Sequence, residues 1–270
     1  MGTGRPHVEI TAATLAGGEK NQDRYAYGDG WAFVLDGASS FTSEQPEHDG
    51  GWYAERLMNS LSDELTSSPD DTTTNIVARA IKEAASAHDD PETCPTSTIA
   101  IARWRDEAVD LYVLGDSTVV LIGDEGEDVV TDSRLAAIAP ELRTEYRSRL
   151  TEGHGFDSRH RDLLRELQSC QASARNQPAG YWIAGADPEA ARHGLELRRP
   201  RASVEAVVLA TDGAAAALQY GLVESWAAFG ASDLRQVLSA VHDTEESDYL
   251  ATEWPRSKAH DDKTAQTIRF

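Results

Sequence analysis

The chain has few cysteines and no long apolar run. Only two of its 270 residues are cysteine, Cys94 and Cys170, and their separation fits neither a metal motif nor a redox motif. Because the apolar runs are short and separated by polar turns, no transmembrane helix is expected. The N-terminal residues also lack the apolar core of a signal peptide, and Pro6 disfavours N-myristoylation. We therefore expect a cytoplasmic protein with two inert thiols and no membrane partner.

Basic residues are scarce as well. Lys and Arg number 25 against 46 Asp and Glu, so the formal net charge is −21. We expect no nucleic-acid ligand, because a phosphate backbone requires a basic surface. The acidity has two explanations: solubility in a salt-rich cytosol, or acidic residues gathered around cations. We expect a monomer.

Hydrophobic residues make up 40% of the sequence, enough for the core of one large domain. The predicted strands cover residues 7–16, the two arms of a hairpin about Asp29-Gly30, and residues 97–104, 109–114, 119–122, 206–210 and 264–268. Helical periodicity predicts helices over 52–65, 76–88, 140–150, 159–174, 223–229 and 233–242. Strands grouped in hairpins and helices in separate blocks favour an α+β fold. We interpret residues 1–270 as one domain, with a mostly helical insertion or lid at about 132–201.

The hairpin carries an acidic residue at each end. Its second arm is the apolar run Trp31–Leu35, which stops abruptly at Asp36-Gly37. A carboxylate directly after a buried strand, followed by a residue that permits close approach of the backbone, is well suited to hold a hard cation. This pattern predicts that Asp36 is the centre of a metal site.

Other aspartates lie at the ends of predicted strands. Asp116 and Asp212 follow strands, Asp261-Asp262 precedes the last strand, and Asp23 begins the hairpin. One such aspartate indicates only a turn, whereas several together favour a metal site. All-oxygen ligands suit Mg²⁺ or Mn²⁺, and the lack of clustered Cys and His disfavours a zinc thiolate site. Two such ions about 4 Å apart can share a water, lower its pKa and direct it at phosphorus.

Six short segments, in their order along the chain, resemble the metal-dependent protein phosphatases of the type 2C (PPM) family. The segments that carry the resemblance are Asn21-Gln22-Asp23, Asp36-Gly37, Thr96-Ser97-Thr98, Val113-Leu114-Gly115-Asp116-Ser117, Leu209-Ala210-Thr211-Asp212-Gly213 and Asp261-Asp262-Lys263-Thr264. The stretch His48-Asp49-Gly50-Gly51-Trp52 looks most like an acidic bacterial branch. The resemblance implies two antiparallel β-sheets packed as a central sandwich and flanked by helices.

The resemblance also implies a centre of two Mn²⁺ or Mg²⁺ ions at one end of the sandwich. Asp36 matches the carboxylate that bridges both ions, and Gly37 matches the residue whose carbonyl binds one of them. Asp212 and Asp261 match ligands of the second ion, and Asp116 matches an acid near a third, looser ion. The alternative for Asp116 is a turn carboxylate that bonds backbone amides.

Several positions depart from the family pattern. Asp23 matches an acid that holds a metal-bound water, but Gln22 precedes it where the family often has Glu. Asp262 stands where the family usually has Asn, which leaves open which of the two adjacent aspartates binds metal. The His expected after Asp36-Gly37 is missing, and His48 is the nearest substitute as general acid.

The phosphate-binding Arg expected before the hairpin is also missing. Lys20 and Arg24 are candidate substitutes, with a solvated lysine and a strand-face arginine as the alternatives. Further candidates lie in the 132–201 segment, where most arginines are expected to form surface salt bridges: Arg143, Arg147, Arg149, Arg159, Arg161, Arg165, Arg175 and Arg192.

The function predicted from these residues is metal-dependent phosphomonoester hydrolysis, by a hydroxide that bridges the two ions and without a covalent phospho-enzyme. The first candidate is a Ser/Thr protein phosphatase. The alternatives are a phosphatase of a small phosphorylated metabolite, a catalytically weak phosphatase-like binding or regulatory protein, and a metal-dependent hydrolase of another substrate.

Overall fold

The computed structural model describes residues 8–38, 48–105 and 107–270. Its strands are β1 (Glu9–Leu15), β2 (Arg24–Gly28), β3 (Trp31–Leu35), β4 (Gly37–Ala38), β5 (Thr96–Ser97), β6 (Ile99–Trp104), β7 (Ala108–Leu114), β8 (Thr118–Gly123), β9 (Gly126–Thr131), β10 (Leu195–Pro200), β11 (Val204–Ala210) and β12 (Lys263–Arg269). Its α-helices are α1 (Gly50–Ser67), α2 (Thr73–Ala85), α3 (Pro140–Thr151), α4 (Ser158–Ala174), α5 (Asp212–Gln219), α6 (Trp226–Ala231) and α7 (Leu234–Ser247).

The strands form two five-stranded sheets. One has the order β1-β12-β11-β8-β9 and the other the order β10-β7-β6-β3-β2, while β4 and β5 make a small separate pair. All of the strand pairs are antiparallel. The α+β class and the sandwich of two antiparallel sheets are thereby confirmed.

Strand β3 contributes side chains to two separate hydrophobic cores. All five of its residues are buried. Since side chains alternate across a strand, Ala32 and Val34 join the core between the two sheets, while Trp31, Phe33 and Leu35 pack with α1 and α2 on the outer face. The other sheet is covered in the same way by α5, α6 and α7.

The β2–β3 hairpin turns where the sequence predicts. Gly28 pairs with Trp31, so the loop is the dipeptide Asp29-Gly30. Gly30 adopts φ +84°, a conformation that favours glycine. This turn fixes the register of β3 and thereby places Asp36 at the edge of the sandwich.

Some boundaries differ from those predicted. Helix α2 begins after Thr72, whose Oγ1 accepts a hydrogen bond from the Asn75 backbone at 3.2 Å, whereas the predicted helix began at Ile76. Residues 126–131, which lie outside the predicted strands, form β9. Strand β4 and the separation of β5 from β6 were not predicted, since two residues give too little periodicity to reveal a strand.

The 132–201 segment contains both predicted helices. Helices α3 and α4 pack on each other around Tyr146, Leu150 and Leu163. The segment is not helical to its end, however, because residues 195–200 form β10, which pairs with β7 at the edge of a main sheet. Alternating burial of this exposed edge strand leaves a weak apolar signal in the sequence.

Within the described residues, no helix is both long and apolar enough to cross a bilayer.

Candidate metal centre

Asp36 lies at the point where β3 leaves the sheet. Its backbone is held on both sides by Thr98: the Thr98 N–H donates to the Asp36 carbonyl at 2.9 Å, and the Asp36 N–H donates to Thr98 Oγ1 at 3.2 Å. Gly37 then pairs with Ser97 in the short β4–β5 ladder. The chain around Asp36 is therefore fixed by backbone hydrogen bonds to the segment that begins β6.

Gly37 is enclosed by backbone atoms. A Cβ at this position would lie 2.4 Å from the Gly50 carbonyl oxygen and 2.7 Å from the Gln22 carbonyl oxygen. Neither atom belongs to a flexible side chain, so only glycine allows this approach. The contact brings together the end of β3, the first turn of α1 and the loop before β2.

The carboxylates of Asp36, Asp212 and Asp261 gather at this edge. Burial raises the pKa of Asp36 well above its usual range, and the charges of Asp23, Asp212 and Asp261 add to the effect. Asp212 is the first residue of α5 and hydrogen-bonds with Asp36. Asp212 is an exposed residue. Desolvation of its carboxylate by the surrounding protein and the charge of the nearby Asp116 nevertheless raise its pKa. Such repulsion is relieved either by protonation of the carboxylates or by a positive charge bound among them.

Asp23 lies beneath this group. Its Oδ2 accepts a hydrogen bond from Thr211 Oγ1 at 2.9 Å, whereas its Oδ1 is buried and has no hydrogen-bond partner among the described residues. Burial, opposed by the hydrogen bonds from Thr211 and Thr264, raises the pKa of Asp23 to about 8. A buried carboxylate oxygen without a partner requires an explanation, and a bound water or ion supplies one.

The two adjacent aspartates before β12, Asp261 and Asp262, have different partners. Both oxygens of Asp262 accept backbone N–H groups, from Gly17 at 2.7 Å and from Gln22 at 2.7 Å. Asp262 therefore fastens the loop between β1 and β2. Asp261 instead faces the cluster, and burial together with the charge of Asp212 raises its pKa to about 6. The geometry favours Asp261 over Asp262 as the residue free to bind a cation.

Lys258 was not singled out from the sequence. Its Nζ lies 2.5 Å from Asp261 Oδ1, and its side chain is 59% exposed. Although the side chain is largely exposed, the protein atoms around the ammonium oppose its charged form. The charges of Asp261, Asp36 and Asp212 outweigh that effect and raise the pKa of Lys258. A lysine three residues before the Asp261-Asp262 pair was visible in the sequence, but only the fold of the loop shows that its ammonium reaches the carboxylates.

Asp116 borders the cluster on the side of the 132–201 segment. Gly115, at φ +88°, turns the chain between β7 and β8 and presents Asp116 beside that segment. Burial raises the pKa of Asp116, while its own backbone N–H and the Arg143 guanidinium lower it. Burial raises the pKa of Tyr181, and the charge of Asp116 adds to this effect. Of the arginines considered, Arg143 is thus placed near an acid of the cluster.

His48 contacts other aromatic rings. Its ring stacks on Trp52 with centroids 3.9 Å apart, and its Nδ1 lies 3.3 Å from His88 Nδ1. The residue that caps α1 is Asp49, which accepts a hydrogen bond from the Trp52 backbone. These contacts give the general-acid role of His48 no support, and it stays a prediction.

The two candidate phosphate-binding residues are engaged elsewhere. Lys20 pairs with Asp49 at 3.1 Å and is 72% exposed. Arg24 donates to the carbonyl oxygens of Asn21 at 2.7 Å and Asp23 at 2.8 Å. Arg24 therefore holds the loop that carries Asp23, while Lys20 is a solvated surface residue.

The cluster suits hard divalent cations. Its donors are carboxylate oxygens, its like charges repel, and one buried oxygen has no partner within the described part of the chain. These features fit a site for Mg²⁺ or Mn²⁺.

Comparison with known sequences agrees with this geometry. The family model for protein phosphatase 2C matches residues 12–253. The chain belongs to the protein phosphatase 2C family. Members of this family are phosphatases, that is, metal-dependent phosphoric monoester hydrolases, and the chain is one of them. No curated protein sequence matches the chain.

Solved structures share the fold of this protein phosphatase 2C member. The PPM Ser-Thr phosphatase MsPP from Mycobacterium smegmatis, in complex with cacodylate, is 14% identical with a TM-score of 0.55, covering 97% of this chain and 98% of its own. Stp1 from Staphylococcus aureus is 11% identical with a TM-score of 0.57, covering 98% and 95%. The catalytic domain of PstP, in complex with two manganese ions, is 12% identical with a TM-score of 0.53, covering 97% of each chain.

Proposed function

We propose that the protein is a Ser/Thr protein phosphatase that hydrolyses phosphomonoesters with two divalent cations held at the Asp36 cluster. One observation carries the proposal: Asp23, Asp36, Asp212 and Asp261, from four separate segments, act on one another electrostatically at one edge of the sandwich. A chain that had lost its ions would gain stability by replacing these repelling carboxylates, so their retention together supports a working metal centre.

Asp36, Asp212 and Asp261 are the proposed ligands, and the Gly37 carbonyl is a fourth. The ions would supply a water of lowered pKa and positive charge to offset the phosphoryl oxygens. The chain itself provides the position of each donor. Thr98 fixes the backbone of Asp36, and the Thr211 hydroxyl fixes Asp23 by donating to Oδ2, so that the unpartnered Oδ1 can hold a water.

Lys258 is the proposed substitute for the family's phosphate-binding arginine. Its ammonium already lies at the cluster, whereas Lys20 and Arg24 have other partners. With cations bound to Asp261, the ammonium would be released toward solvent, where its largely exposed side chain can meet a phosphoryl oxygen. A lysine binds phosphate as a point charge without the paired geometry of arginine.

A small phosphorylated metabolite is the second candidate substrate. The observation that favours it is the position of the 132–201 segment, from which Arg143 and Tyr181 lie close to Asp116. A segment so placed restricts access from one side and would suit a compact substrate.

The test compares Mn²⁺-dependent hydrolysis of a phosphothreonine peptide, a sugar phosphate and p-nitrophenyl phosphate by the wild type. We expect the peptide to be cleaved with the largest kcat/KM. A larger value for the sugar phosphate would transfer the proposal to small metabolites, and no hydrolysis of any ester by folded, Mn²⁺-loaded protein would refute the enzymatic proposal.

Two variants test the residue assignments. Asp212→Asn is expected to lower kcat/KM by at least about 100-fold, since even residues that merely support metal ligands contribute about 10-fold to 100-fold. Asp63→Asn, which changes an exposed carboxylate of α1, is the matched control and should retain activity. Lys258→Met is expected to raise KM for the phosphoester more than it lowers kcat, and Lys258→Arg should restore most of the loss.

A further inference from the structure

A second group of potential metal ligands lies outside the carboxylate cluster. His242 and Glu245 are three residues apart on α7 and therefore share one face of that helix. His260 reaches the same place from the loop before β12. One ligand atom from each of these three residues lies within 4.8 Å of the other two.

The two histidines are arranged around Glu245. Their rings stack with centroids 4.2 Å apart and planes 23° from parallel. His260 Nδ1 lies 3.2 Å from Glu245 Oε2, and the Glu245 side chain is only 3% exposed. His260 is partly exposed, at 24%, which leaves a path from solvent to the group.

An independent observation points to a ligand at this group. His242 Nδ1 is buried and has no hydrogen-bond partner within the described residues. Buried ring nitrogens are normally paired, so a water or an ion is the expected partner of this one. A metal ion satisfies such a nitrogen through its lone pair.

The chemistry of the donors selects the ion. Imidazole nitrogens suit Zn²⁺ and its neighbours, and two histidines with one glutamate are a common set of protein ligands for zinc. The hard oxygen ligands of Asp36, Asp212 and Asp261 suit Mn²⁺ or Mg²⁺ instead. The two places therefore differ in the ions that they prefer.

Lys263 limits the affinity of this group. Its buried ammonium donates to Glu245 Oε2 at 2.7 Å and to the Asp261 carbonyl at 2.7 Å. The ammonium already neutralises Glu245, so attraction of a cation must come from the imidazole nitrogens and from the second carboxylate oxygen, Oε1. Lys263 also links the two places, because the same ammonium holds the backbone of Asp261.

We propose that His242, Glu245 and His260 form a second metal site, which takes Zn²⁺ or a similar transition-metal ion and is distinct from the carboxylate cluster. Its ligands come from α7 and from the residue directly before Asp261. Occupancy would therefore fix the loop that delivers Asp261. The site follows from this chain's own side chains and does not depend on the proposed phosphatase activity.

Cobalt provides the test, because Co²⁺ substitutes for Zn²⁺ and absorbs strongly in visible light only in tetrahedral sites. Full-length protein, stripped by a chelator and reloaded with excess Mg²⁺, is titrated with Co²⁺ and followed by its visible spectrum. We expect one intense tetrahedral band for the wild type and for Asp36→Asn. His242→Ala should weaken Co²⁺ binding by at least about 10-fold, while His154→Ala, which changes an exposed histidine, should not.

His242→Gln is the second variant, since it preserves a polar side chain if the alanine variant folds poorly. The proposal is overturned if the wild type shows no tetrahedral band, if the band survives both His242 substitutions, or if Asp36→Asn abolishes it. Lys263→Met adds a positive test: removal of the competing ammonium should tighten Co²⁺ binding by the folded protein, and unchanged binding by folded Lys263→Met would contradict the assignment of Glu245 as a ligand.

Discussion

The buried ion pair between Lys263 and Glu245 allows a quantitative prediction for stability. The Lys263 side chain is fully buried and the Glu245 side chain is 3% exposed, with Nζ and Oε2 2.7 Å apart. Lys263→Met removes this ion pair and the hydrogen bond to the Asp261 carbonyl. Loss of Lys263 leaves the buried Glu245 charge with only the His260 imidazole paired with it among the described residues, and loss of one partner of a buried pair costs about 3–5 kcal/mol. We expect the free energy of unfolding to fall by that amount.

Chemical denaturation of metal-free protein measures the effect. Lys82→Met, on the exposed face of α2, is the matched control and should change stability by less than about 0.5 kcal/mol. The double variant Glu245→Gln/Lys263→Met leaves no unpaired charge, so it should be more stable than Lys263→Met alone. A loss below about 1 kcal/mol for Lys263→Met, or a double variant less stable than the single, would show that the pair is not buried as described.

Three further predictions concern Asp23, Gly37 and the two cysteines. The fold raises the pKa of Asp23 to about 8 and so favours its protonated form; metal-free protein should therefore lose stability as pH rises from about 4 to 8. Asp23→Asn should reduce this dependence of the free energy of unfolding on pH, measured by chemical denaturation. An unchanged pH dependence in the variant would refute the raised pKa of Asp23. Gly37→Ala places a Cβ 2.4 Å from the Gly50 carbonyl oxygen, so we expect a loss of at least about 2 kcal/mol and of Mn²⁺ binding, whereas near-normal stability and binding would contradict the enclosure of this residue. Burial raises the pKa of Cys94 to about 11, so a thiol reagent at pH 8 should label the exposed Cys170 rapidly and Cys94 only on unfolding; equal rates would be inconsistent with the structure.

The residues that could be predicted from the sequence share a local signal. Asp36 follows an apolar strand at once, and Asp212 and Asp116 follow strands in the same way, so strand prediction alone places a carboxylate at each strand end. The hairpin was predictable because its turn depends on the loop dipeptide Asp29-Gly30 itself. The sandwich itself followed from the resemblance to the family and was confirmed.

The residues that were missed depend on contacts between distant segments. Lys258 lies in an irregular loop whose path no periodicity predicts, and its role becomes visible only when Asp36 and Asp212 are seen nearby. The absence of clustered histidines in the sequence hid the group of His242 and His260, since α7 and the loop before β12 bring them together in space. Strand β10 was missed because an exposed edge strand has little apolar signal.

The metal-ligand roles of Asp36, Asp212 and Asp261 can be tested by anomalous diffraction from crystals soaked in Mn²⁺. We predict strong manganese peaks among these three carboxylates, with Lys258 displaced from Asp261. At saturating Mn²⁺, the absence of manganese from the cluster, with the Lys258–Asp261 ion pair still in place, would show that these carboxylates do not hold the ions.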